Sequence, residues 1–76
     1  MLELPRLRVL SGAEACRILA SQGFVEVRRR GSHIIMRRTN ITGVVTVPVP
    51  NHRELRIGTL RSIIRQSRLP MSLFEE

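Results

Sequence analysis

The sequence contains no lysine, aspartate, tryptophan or tyrosine, and its only aromatic side chains are two phenylalanines. Two Phe are too few for a platform that stacks successive single-stranded bases. A single cysteine, Cys16, excludes an internal disulfide and any multi-cysteine zinc centre. Two histidines, His33 and His52, with no Asp, leave little material for a conventional metal site. No segment approaches the roughly 20 apolar residues of a membrane span, and Met1 to Leu10 lack the apolar stretch of a signal peptide. The expected location is therefore the cytoplasm, with no membrane partner. At 76 residues the chain is read as one small domain, with residues 1–10 an extended lead-in and 70–76 a short C-terminal turn. A chain of roughly 60 residues buries only about 60% of its unfolded surface. Doubly wound nucleotide-binding folds and barrel enzymes need several times more chain.

What the chain has instead is arginine. All thirteen basic side chains are Arg against six Glu, leaving a formal charge of +7. A guanidinium is a planar fork suited to phosphate, so this density is consistent with a polyanion partner. An ordinary solvated surface in an arginine-rich composition would look the same, and composition does not separate the two.

Local patterns give an order of elements. Ser11 opens S-G-A-E with Glu14 three residues on, the pattern of a capping box, and Gly23 supplies a left-handed stop. The first helix is predicted over 12–22, with Cys16 a small core hydrophobe on it. F-V-E-V-R-R-R, Gly-Ser and H-I-I-M-R-R then read as a β-hairpin with a two-residue loop at Gly31 and Ser32. Counting outward pairs Arg30 with His33, Arg28 with Ile35 and Glu26 with Arg37. On the other face Arg29 meets Ile34, Val27 meets Met36 and Val25 meets Arg38. Val25, Val27, Ile34 and Met36 form the expected core face. A turn at T-N-I-T-G leads to a third strand, with Val45, Val47 and Val49 inward, closed by Pro48 and Pro50. The run I-G-T-L-R-S-I-I-R-Q-S-R-L places Ile57, Leu60, Ile63, Ile64 and Leu69 at helical spacing, with a cap at or just before Thr59. Pro70 ends that helix, and Phe74 packs in a last short turn.

The predicted fold is α+β with the order α-β-β-β-α: a three-stranded antiparallel sheet with both helices on one face. Double-stranded RNA-binding domains share that topology, an analogy of fold and not of function.

The register sets His33 on the open sheet face beside Arg28, Arg30 and Arg37. RNA transesterification needs a base for the 2′-hydroxyl, an acid for the leaving 5′-oxygen and positive charge against the phosphorane. An imidazole can be either base or acid because its reference pKa, about 6.5, lies near working pH. Guanidinium groups can bind the scissile phosphate and stabilise its developing charge. The scheme requires no metal or other cofactor. The plainer reading is a surface histidine following a hairpin turn. His52, between Pro50 and a helix, reads as a loop or capping residue. Ser11, Ser32, Ser62, Ser67 and Ser72 carry no nucleophile motif.

G-F-V-E-V-R-R-R-G-S-H-I-I-M-R-R, followed by V-T-V-P-V-P-N-H-R-E-L-R-I-G-T-L-R-S-I-I-R-Q-S-R-L and L-F-E-E, resembles the HicA toxins of type II toxin–antitoxin systems. The likeness covers nearly the whole chain, from the S-G-A-E capping box to Phe74. It implies a fold like that of double-stranded RNA-binding domains and the activity of an mRNA interferase, a metal-independent endoribonuclease. The histidine of the G-S-H motif is catalytic in that family, which implies His33 here, with Gly31 and Ser32 completing the motif. The resemblance also implies mRNA as substrate and a HicB-like antitoxin as the partner covering the RNA-cleaving face. The chain departs from the family at Pro50, where many members have histidine, so no role is carried over to His52. Gly58 to Arg61 matches well, with Gly58 expected to relieve crowding and Leu60 to face the core. The chain alone is expected to be a monomer. Two other functions fit the same residues: a non-catalytic double-stranded RNA-binding module, and an interaction subunit whose cations meet an acidic protein.

Overall fold

Local chemistry sets the ends of the first helix, α1 (Gly12–Ser21), in the computed structural model, which describes residues 5–76. The Ser11 hydroxyl accepts from the Glu14 amide at 3.0 Å, and the Ser11 amide donates to the Glu14 carboxylate at 2.9 Å. The predicted capping box is present. Gly23 follows with φ +91°, a conformation that stops a helix at no steric cost to glycine. Ala15 and Leu19 are fully buried, and Cys16 packs half-buried beside them. Burial pushes the Cys16 thiol up, and the nearby Glu26 carboxylate adds to the effect.

Its bonds to Ser11 hold the Glu14 carboxyl below its ordinary value of 4.5. A depressed folded-state value gives stability that is complete above the unfolded value and is lost as pH falls through the folded one. Ser11→Ala is expected to cost about 1 kcal/mol in urea unfolding at pH 7. The carboxylate half of the box is tested by Glu14→Ala, whose deficit should shrink as pH drops below 4.5, because acid also removes the charge that accepts from the Ser11 amide; a deficit that holds steady on acidification would contradict this account of the cap.

Three strands follow: β1 (Val25–Arg30), β2 (His33–Asn40) and β3 (Gly43–Pro50), antiparallel in the order β1-β2-β3. The helix α2 (Ile57–Ser67) and a 3₁₀ turn (Met71–Phe74) complete the chain. The α-β-β-β-α order and the open three-stranded sheet are as predicted. Ile34, Met36, Val45, Val47 and Val49 meet Leu60, Ile63 and Ile64 of α2 in one core with Phe24 and Phe74. Ile57, expected on that face, is 54% exposed. Of the cap positions expected at or just before Thr59, the structure uses Arg56, which makes no side-chain capping bond. The lead-in is tied down at its far end: Leu7 bridges Glu75, and the Arg8 amide donates to the Phe74 carbonyl at 2.8 Å. The first four residues of the predicted lead-in lie outside the described residues.

The hairpin register holds near the turn and shifts beyond it. Arg30 pairs with His33, Arg29 with Ile34 and Arg28 with Ile35, as predicted. A bulge between Glu26 and Arg28 then pairs Glu26 with Met36 and Val25 with Arg37. The predicted partners of Glu26, Val25 and Val27 are therefore wrong, and the two valines are not core: Val25 is 60% and Val27 40% exposed. The cause is a conflict of phase along β1. The two-residue turn sends Arg29 toward the helices, whereas Phe24, which is 2% exposed, must also point that way. These positions differ by five residues, an odd number, so strict alternation cannot satisfy both. Burying a phenyl ring outweighs burying two valines at a sheet edge, and one extra residue in the strand resolves the mismatch.

The bulge also moves a charge. Glu26 leaves the face of His33 for the helix side, where it forms an ion pair with Arg29 at 3.0 Å. Arg38 is on that side too, its guanidinium 4.9 Å from the Phe24 ring centre and 3.2 Å from the Gln22 carbonyl. Arg29 and Arg38 are thereby occupied with structure, and among the described residues of β1 and β2 the opposite face keeps its cations without a carboxylate.

Candidate functional site

His33 begins β2 immediately after the Gly31–Ser32 turn, in which Gly31 takes a φ of +59°. Two neighbours fix its backbone, Arg30 of β1 and Pro50 of β3. Prolines at 48 and 50 have no amide proton to give β2, so their pairs with Ile35 and His33 are of the non-hydrogen-bonded kind. In such pairs the Cα atoms approach to about 4.5 Å and the side chains lie close together. The next rung is closed by the Asn51 amide, which donates to the Ser32 carbonyl at 2.6 Å.

A third segment meets this end of the sheet. The Gly12 amide donates to the His52 carbonyl at 2.9 Å, and the Leu55 amide to the Leu10 carbonyl at 2.7 Å. The approach is so close that a Cβ on Gly12 would lie 2.0 Å from the Pro50 carbonyl oxygen. The start of α1, the end of β3 and the G-S-H turn are thus locked together by main-chain contacts. His52 contributes through its carbonyl, and its exposed side chain stays outside the groove that His33 lines.

Among the residues singled out from the sequence, Arg28, Arg30 and Arg37 are all exposed and stand with His33 on the sheet face opposite Ile34 and Met36 of the core. Arg30 is its direct cross-strand neighbour, a geometry that puts Cβ atoms about 5 Å apart. Arg28 lies one rung further along, opposite Ile35. Arg37 is four residues from His33 along β2, about 13 Å at the rise of an extended strand. Its Nε also donates to the Thr46 hydroxyl at 3.5 Å, so it belongs to the far end of the face. The structure therefore groups Arg30 and Arg28 with His33 and separates Arg37 from them. Ile35, expected in the open, is only 8% exposed on this face.

The face is not a bare sheet. His33, Pro48 and Pro50 form one side of a groove of about 380 Å³ whose other side is α2, through Gly58, Thr59, Ser62, Ile63 and Gln66. The sequence reading missed this wall. Its signal was available in the spacing of Thr59, Ser62 and Gln66, which at i, i+3 and i+7 share one stripe of a helix. Gly58 also differs from expectation: a Cβ there meets nothing within 4 Å, so it relieves no crowding and leaves the groove's rim open. Leu60 faces the core as predicted. With no side-chain cap, the amide-bearing, electropositive end of α2 lies at the groove beside His33. Among the described residues no three of His, Cys, Asp and Glu are grouped to hold a metal ion. No helix among them is long and apolar enough to cross a membrane.

The structure is a small α+β domain with an open three-stranded antiparallel sheet, in which exposed Arg28 and Arg30 stand near His33 at the mouth of a groove walled by α2. The family model of the HicA toxins of bacterial toxin–antitoxin systems matches residues 12–69, most of the chain, and the protein belongs to that family. It is accordingly the toxin of a toxin–antitoxin pair, with an antitoxin as partner. No curated protein matches the sequence closely enough to add to this.

Proposed function

We propose that the protein is an endoribonuclease that cleaves mRNA by metal-independent transesterification, with His33 as its catalytic residue. The observation that carries the reading is the position of His33. Among the described residues it is the one titratable side chain lining the groove, flanked by Arg30 and Arg28 on one side and the start of α2 on the other. In the reaction the RNA 2′-hydroxyl loses its proton to a base and its oxygen attacks the adjacent phosphorus. The bond to the 5′-oxygen breaks, that oxygen gains a proton, and the products carry a 2′,3′-cyclic phosphate and a 5′-hydroxyl. His33 serves as base or acid in this exchange. Arg30 and Arg28 bind the phosphate and offset the charge that builds on its free oxygens, while Arg37 holds the strand further along. Gly31 and Ser32 act through the backbone, the first by its left-handed conformation and the second by its bond to Asn51.

The bulge strengthens the reading, because it removes Glu26 from this face and leaves the arginines free to meet phosphate. Replacing Arg30 or Arg28 by Ala should weaken RNA binding for all sequences alike. Each loss should flatten the dependence of log affinity on log salt by about 0.7 for single-stranded RNA. Unchanged salt slopes in both variants would show that the phosphate lies elsewhere. The antitoxin is proposed to cover the same groove and face, which would make toxin–antitoxin binding and RNA binding mutually exclusive.

A non-catalytic double-stranded RNA-binding module would share the topology and the charge. Incubation of labelled RNA with the pure protein separates the two: cut products support the nuclease, whereas shifted but intact RNA supports the module.

A further inference from the structure

The wall that α2 presents to His33 is chemically unlike the rest of the surface. In a protein with thirteen arginines, the α2 residues that line the groove are uncharged, and its polar ones are Thr59, Ser62 and Gln66. Polar, uncharged hydrogen-bonding groups suit the neutral parts of a nucleotide, and phosphate is better met by the guanidinium groups across the sheet. Ser62 is already oriented: its hydroxyl oxygen accepts from the Arg65 guanidinium at 3.1 Å, which leaves its proton to be donated. The Gln66 amide makes no hydrogen bond to protein among the described residues, so its donor and acceptor are both available to a ligand. Facing them, Pro48 and Pro50 give an apolar surface without amide protons, against which a flat ring can lie. A volume of about 380 Å³ lies in the range of small-ligand sites, and a base read by its edge must present that edge unpaired.

We infer that this groove is the nucleoside-binding half of the site. It takes the ribose and base of one unpaired nucleotide next to the scissile phosphate, with Ser62 and Gln66 as the residues that position it and read its edge. The inference rests on the proposed nuclease reading and extends it to substrate form. The phosphate lies with His33, Arg30 and Arg28, the neutral part of the nucleotide turns toward α2, and a base held in a duplex cannot enter.

Two measurements test it. The first is steady-state cleavage of single-stranded oligonucleotides by the wild type, Gln66→Leu and Ser62→Ala, with mapping of the cut sites. Gln66 is exposed, so its variant is expected to melt as the wild type does. It should lose about tenfold in kcat/KM, chiefly through KM, and relax its preference at the nucleotide beside the cut. Wild-type kinetics with an unchanged cut-site profile in both variants would overturn the inference. The second uses a short oligonucleotide with 2′-deoxy sugars, which binds but cannot be cut, titrated into the wild type and followed by NMR. Shifts are expected at the Gln66 side-chain amide and at Ser62, and a fully duplexed oligonucleotide should leave them still. Shifts confined to Arg28, Arg30 and Arg37 would contradict the inference even if the protein cuts RNA. Shifts at Gln66 in a protein that leaves RNA intact would refute the nuclease reading and retain the groove.

Discussion

Replacing His33 by Ala is expected to leave the protein folded and able to bind RNA while lowering cleavage by about a thousandfold or more. General acid–base catalysis by one positioned side chain is worth about 10²- to 10⁴-fold. The imidazole is exposed, and a change at such a surface position usually alters stability by no more than about 0.5 kcal/mol. A similar melting temperature in the variant would therefore assign the lost activity to chemistry and not to unfolding. In cells, induction of the wild type should arrest growth and induction of His33→Ala should not. RNA affinity should persist because Arg28, Arg30 and Arg37 remain in place. Full toxicity in the variant would show that His33 does not carry the reaction.

The second large effect lies in the scaffold. Gly12→Ala sets a methyl group 2.0 Å from the Pro50 carbonyl oxygen, well inside any contact real atoms make. The clash is with backbone, so no rotamer change relieves it; either α1 or the end of β3 must move. The expected cost is about 3 kcal/mol or more in urea unfolding, at the upper end of overpacking penalties and a large share of the stability of so small a domain. Pro50 is the strand partner of His33, and Asn51 bonds to Ser32. A variant that still folds should therefore lose cleavage as well, though it contacts no RNA. Gly58→Ala is the control for stability, since a Cβ there meets nothing within 4 Å. Equal stability of Gly12→Ala and the wild type would mean that the α1–β3 contact is looser than described.

The features legible in the sequence are those with local causes. The S-G-A-E cap, the Gly31–Ser32 turn and the prolines on β3 each impose a conformation through their own chemistry, and each is found where predicted. The register near the turn follows from loop length alone, and it sufficed to bring His33 beside Arg30 and Arg28. Alternation along β1 could not be read, because it is decided by competition between the turn and the burial of Phe24, two constraints from opposite ends of one strand. Arg37 shares the face of His33 by alternation, but four residues of extended strand put it about 13 Å away, next to Thr46. The α2 wall was missed for another reason. The stripe of Thr59, Ser62 and Gln66 is visible as spacing, yet only the packing of α2 beside β3 turns it toward His33. Gly58 illustrates the same limit, since a glycine in a helical run does not reveal whether its missing side chain spares a neighbour or leaves a space open.

The central claim is that this chain's own side chains cut RNA through the 2′-hydroxyl, and the ends left on the fragments test it most directly. RNA incubated with the purified toxin in EDTA should be cleaved to fragments bearing a 2′,3′-cyclic phosphate and a 5′-hydroxyl. Replacing the 2′-hydroxyl at the cut site by hydrogen should block that cut. Fragments ending in 3′-hydroxyl and 5′-phosphate, or cleavage only on addition of magnesium, would contradict the mechanism.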